Sequence, residues 1–80
     1  MDGASELRGR AGRWRRLAEV TRGEVQLLRD AGGIAWRGDA AAAFREVLGQ
    51  RVRELEELAE REEAVADLLD HLAAVVEPAA

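Results

Sequence analysis

The sequence predicts an all-α fold, an antiparallel two-helix hairpin, and three observations carry that prediction. Two long stretches place apolar side chains at alternating steps of three and four residues, a glycine-bearing interval at residues 32–38 separates them, and no strand-like alternation competes. Sixteen alanines supply much of the 48% apolar content, which favours helix and close backbone approach over a thick core. The single proline, Pro78, lies where it can close a helix without interrupting one.

The first helix is expected from about Ser5 to Ala31. Leu7, Ala11, Trp14, Ala18, Thr21, Val25 and Leu28 follow the seam spacing of helices packed at a shallow angle, and Leu17, Val20 and Leu27 widen the stripe. Gly32 and Gly33 follow, and a glycine in the left-handed conformation ends a helix without a Cβ clash. Gly38 gives a second permissive backbone position. Asp39 can accept from the free N–H groups that open the next helix, so the second helix is expected to begin at Asp39 or Ala40. Between them, Ile34 and Trp36 are too large and apolar for a solvated loop. Both are expected to fold back over the helix ends, with Trp36 plugging the closed end.

The second helix is expected from about Asp39 to Val76. Phe44, Leu48, Leu55, Leu58, Val65, Leu69, Leu72 and Val76 share one face, with Val52, Ala59, Ala66 and Ala73 beside it. Arg51 and Glu62 fall on the apolar seam, where they either set register or snorkel outward.

If the chain reverses near Ala35, residue i lies opposite roughly residue 70 minus i. Leu28 would then face about Ala42, and Leu7 about Glu63. Beyond that the first helix has run out, leaving Leu68, Leu69, Leu72, Val75 and Val76 with nothing in the same chain to cover them. Such a patch marks an interface. A dimer forming a four-helix bundle is therefore expected, with Leu7, Trp14, Val25, Leu28, Leu48, Leu55, Leu58, Leu68, Leu69, Leu72 and Val76 at the interface.

Charge supports the antiparallel pairing. Residues 1–38 hold eight arginines against five acids, and residues 39–80 hold four against eleven, within an overall net charge of −4. Arg8, Arg15, Arg22 and Arg29 recur every seven residues, as do Glu56, Glu63 and Asp70. Exposed pairs of this kind orient helices more than they stabilise them.

Composition bounds the function classes. At 80 residues without cysteine, one small domain is the ceiling, no disulfide framework is possible, and a core of this size contributes about 3–5 kcal/mol. Catalysis finds no foothold: the lone serine is Ser5, the lone histidine is His71, and the position three before that histidine, where helical di-iron sites need Glu, is Leu68. No enzyme activity, metal or cofactor is expected. Arg8, Arg10, Arg13, Arg15 and Arg16 cluster around Trp14, but the chain is acidic and that indole sits on the apolar seam, so no nucleic-acid partner is expected. Arg37-Gly38-Asp39 matches the tripeptide of integrin ligands, yet each of the three already has a role in the turn. No apolar run approaches the ~20 residues of a membrane span, and no basic-apolar-small signal peptide opens the chain.

The segment Ala-Trp-Arg-Gly-Asp-Ala-Ala-Ala-Ala-Phe from Ala35 to Phe44 resembles the hairpin turn of the WXG family, the small helical proteins handled by type VII secretion. Trp36, Gly38, Asp39 and Phe44 form its turn motif, and the broader resemblance runs from Leu7 to about Val76. It implies a hairpin that forms a homodimer or a heterodimer with a related hairpin, and that engages a secretion apparatus. The protein would be made in the cytoplasm and exported without a cleaved signal, as a secretion substrate or co-secreted partner. A cytoplasmic adaptor or chaperone-like partner of a larger secreted toxin is the alternative. Twelve arginines and no lysine suit the GC-rich genome of an actinobacterium. The chain departs from the family in being shorter than the usual hundred or so residues and in lacking tyrosine, so the family's C-terminal Tyr-based export signal is missing; Ala73 stands four before Glu77 in its place.

Overall fold

In a computed structural model, which describes residues 2–34 and 38–77, the chain forms two helices, α1 (Gly3–Gly32) and α2 (Asp39–Val76), packed antiparallel. The described residues contain no strand. The molecule is a rod of 65 × 14 × 14 Å, the cross-section of two helices side by side.

Helix α1 begins two residues earlier than the apolar pattern indicates because Asp2 caps it. The Asp2 carboxylate accepts from the Ser5 backbone N–H at 2.6 Å, satisfying one of the donors that a helix N-terminus leaves open. Its other end departs from the expected left-handed glycine cap. Gly33 is right-handed at φ −78°, and its N–H reaches the carbonyls of both Arg29 and Asp30, a tightened last turn that satisfies them without a positive φ.

Gly38 is where the backbone requires glycine. Its φ of 92° with ψ of 177° lies in a region essentially closed to other residues, and it is the N-cap of α2. Asp39, expected to cap the helix through its side chain, is instead its first residue, and no side chain caps this end. An acid in the first turn still complements the helix dipole. Trp36, with Ala35 and Arg37, lies outside the described residues.

The seam between the helices is built mainly from small residues. Ala4, Ala11, Ala18 and Val25 recur every seven residues along α1, and Ala59, Ala66 and Ala73 do so along α2; all are buried. None of the large side chains among the described residues is fully buried. Where alanines face each other, the backbones can approach until little room remains for longer side chains, which are turned to the flanks. The alanine row of α2, expected beside the main apolar face, is thus central to the seam.

The expected register does not hold. Thr21 meets Glu62, Arg22 meets Glu63, Arg29 meets Glu56 and Gly32 lies against Leu48, so facing residues have numbers adding to roughly 80–85 instead of 70. At the open end, Gly3 and Leu7 share a groove with Val76. The last turns of α2 therefore run alongside α1, and it is the first two turns or so of α2 that extend past the end of α1. The displacement is about two seven-residue repeats.

Candidate functional site

Two flanks of different chemistry follow from this seam. Each helical residue advances 100°, so a side chain four positions after a seam alanine lies about 40° to one side of it. Arg8, Arg15, Arg22 and Arg29 occupy that position on α1, and Glu56, Glu63, Asp70 and Glu77 occupy it on α2. They meet: Arg8–Glu77 at 2.9 Å, Arg15–Asp70 at 2.6 Å with Asp67 at 3.0 Å, Arg22–Glu63 at 2.8 Å and Arg29–Glu56 at 2.5 Å. The side-chain hydrogen bond to Glu77 raises the Arg8 guanidinium above its ordinary value, and bonds to Asp70 and Asp67 do the same for Arg15, as the bond to Glu63 does for Arg22. All these groups remain open to water, so the row orients the helices and adds little stability.

The opposite flank is apolar. Side chains two, three or six positions after a seam residue rotate the other way from the ionic row. On α1 these positions hold Trp14, Leu17, Val20 and Leu27; on α2 they hold Leu58, Leu68, Leu72, Val75 and Val76. All nine are exposed, from 37% for Trp14 to 73% for Val75. Because the arginine and acid rows share one flank, Trp14, Leu17, Leu58, Leu72 and Val76 share the other, while Val20, Leu27, Leu68 and Val75, two positions after a seam residue, turn further toward the outer faces and are the most exposed of the nine. Thr21 with Glu62, Leu28 with Leu55 and Leu7 with Val76 all add to 83, and the same spacing sets Trp14 opposite Leu69. A strip of large apolar side chains along much of a two-helix rod is more than isolated exposed residues, and it is the kind of surface that marks an interface.

The residues expected at a partner interface divide into three groups. Trp14, Leu58, Leu68, Leu72 and Val76 are exposed, while Leu7, Leu28, Leu48 and Leu69 are half-buried at the edge of the seam. Val25 and Leu55 correct the expectation: at 4% exposure each, they are buried between the chain's own helices and offer nothing to a partner. Phe44, from the turn motif, is exposed on the part of α2 that passes the end of α1. Val47 joins it there, a residue the apolar pattern did not single out.

Glu62 and Arg51, the two polar residues on the seam, part company. Arg51 reaches solvent and pairs with Glu54 at 3.4 Å on its own helix. Glu62 is 4% exposed and accepts a hydrogen bond of 2.6 Å from the Thr21 hydroxyl, whose oxygen also lies 3.1 Å from the Leu17 carbonyl oxygen. Among the described residues no buried side-chain polar atom lacks a partner. His71 is exposed, and no group of three His, Cys, Asp or Glu among the described residues is placed to hold a metal. No described helix is long and apolar enough to cross a membrane.

Fold and surface together define a helical hairpin with one ionic and one apolar flank. No family model matches the chain, and neither a curated protein nor a solved structure matches it.

Proposed function

We propose that this protein is a non-enzymatic helical hairpin that works by pairing, through its apolar flank, with a second copy or a related hairpin, and that it is a type VII secretion substrate or co-secreted partner. The observation that carries the pairing is the one-sided strip from Trp14 and Leu17 to Leu58, Leu72 and Val76, left exposed by a seam already closed with alanines. Two such hairpins placed flank to flank would bury both strips and make a four-helix bundle. The link to secretion rests on the Trp36-x-Gly38 resemblance, with the Gly-only backbone at Gly38 in keeping with a motif that specifies glycine there.

Co-expression with neighbouring small reading frames, followed by mass measurement of the purified species, tests the pairing. A stable dimer of either kind supports it, and a compact monomer in every combination sinks it. Secretion of a tagged copy, with and without that partner, tests the second part. The chain has no tyrosine to place one helical turn before an acid, so export is expected only when a partner supplies the signal. Efficient export from a host lacking every related partner would mean that another signal lies in this chain. A complex retained in the cell under both conditions would favour the cytoplasmic adaptor.

A further inference from the structure

The rows that hold the hairpin together are periodic, and that makes register ambiguous. Ala4, Ala11 and Ala18, like Ala59, Ala66 and Ala73, recur every seven residues, and so do the paired arginines and acids. Moving α1 toward the closed end by one repeat, about 10 Å, sets alanine against alanine again. Arg8, Arg15 and Arg22 would then meet Asp70, Glu63 and Glu56, each one repeat from its present partner. Only Arg29 would lose its acid, coming to face Gly49. Gly32 and Asp39 would come closer together, so chain length does not forbid the move.

Thr21 and Glu62 break the repeat. They are the only buried polar residues among those described, and they meet each other across 41 positions of sequence. In the slipped register Thr21 would stand opposite Leu55 and Glu62 opposite Trp14, and the carboxylate would lose its hydroxyl donor. A buried carboxylate stripped of its partner is costly, whereas the rows around it are indifferent to the slip. Single polar residues in helical seams set register in this way. We infer that the Thr21–Glu62 hydrogen bond selects one pairing register of the hairpin from alternatives, one repeat apart, that the alanine and ionic rows leave nearly equivalent. The choice reaches the surface: it sets Leu69 opposite Trp14, and a slip would carry Leu69 toward Leu7 and reshape the apolar flank.

The full chain has no cysteine, so two introduced thiols report register cleanly. Nitroxide labels on Arg16→Cys and Gln50→Cys, both at exposed positions, give a distance by pulsed electron resonance, with excess unlabelled protein added so that only intrachain pairs are read. The parent should show one distance. Thr21→Val with Glu62→Leu should stay helical and add a population about 10 Å shorter. Moving the carboxylate by one repeat, Glu62→Leu with Leu55→Glu, should shift the main population by the same amount, and Thr21→Ser should keep the parent distance. A helical apolar variant with the parent distance alone, or a relocated carboxylate that leaves the distance unmoved, overturns the inference. Loss of helicity in every variant, Thr21→Ser included, would also overturn it, because the pair would then be needed to fold at all and not to choose a register.

Discussion

Gly38 and the seam alanines show how much rests on side chains that are small or absent. A Cβ built at Gly38 would meet nothing within 4 Å, so any cost of adding one comes from backbone strain at φ 92° and not from crowding. Gly38→Ala should therefore destabilise the hairpin by about 1–3 kcal/mol, measured by thermal or urea melting. An unchanged midpoint would mean that the backbone at this position relaxes freely. Ala66 presents the opposite case, with no exposed surface in the seam. Ala66→Leu should separate the helices and cost about 1–3 kcal/mol from overpacking, although leucine is larger, more apolar and nearly as good a helix former. A stabilised variant would show that the seam has room that the structure does not display.

At the scale of the helices, the ionic row sets orientation. Arg8, Arg15 and Arg22 are raised above the ordinary guanidinium value by hydrogen bonds to acids of α2. A group raised in the folded state contributes stability that is full below its unfolded value and is lost only as pH climbs through the folded one. For arginine that window lies far above neutral pH, so these guanidiniums add no pH dependence to melting in the neutral range. Their contribution appears instead on charge reversal. Arg15→Glu with Arg22→Glu should lower the melting temperature by setting like charges against Asp70 and Glu63, and adding Glu63→Arg with Asp70→Arg should recover most of the loss. Recovery in the fourfold variant, read by circular dichroism, separates pairing across the helices from a change in helix propensity. Equal melting of the twofold and fourfold variants would show that the rows do not sense each other.

For the whole molecule, the alanine seam and the apolar flank are two sides of one arrangement. A thin seam leaves the hairpin marginal as an isolated unit, since a core of this size supplies only about 3–5 kcal/mol. The side chains that could thicken it point outward on one flank. Light scattering at micromolar concentration should accordingly give a dimer or a poorly folded species. Leu58→Glu and Leu72→Glu touch the flank and not the seam, so each should weaken association about tenfold or more while helicity under saturating partner is kept, from roughly 1.5–3 kcal/mol per buried leucine. Unaltered association in both variants would move the interface elsewhere.

Much of the fold was legible from local pattern. The all-α class, the bounds of α2, the end of α1 near Gly32 and a permissive backbone position at Gly38 all follow from spacing and from the special backbone of glycine, while the positive φ at Gly38 is read from the structure. The Asp2 cap, which moves the start of α1 to Gly3, was available in the residue type but lay outside the apolar periodicity. Of the candidate surface, the exposure of Leu68, Leu72 and Val76 was anticipated for a reason that fails: these residues have α1 alongside and are exposed because they face the flank or, for Leu68, the outer face. The register and the choice of seam row were not local properties. A pattern that repeats every seven residues looks the same after a slip of seven, so neither the alanines nor the arginines could reveal that facing residues add to 80–85 and not 70. Folding resolved that degeneracy where two distant polar side chains, Thr21 and Glu62, came within 2.6 Å in an otherwise apolar seam. It also turned Val25 and Leu55 inward, because helices drawn close by alanine leave space for only a few larger side chains between them.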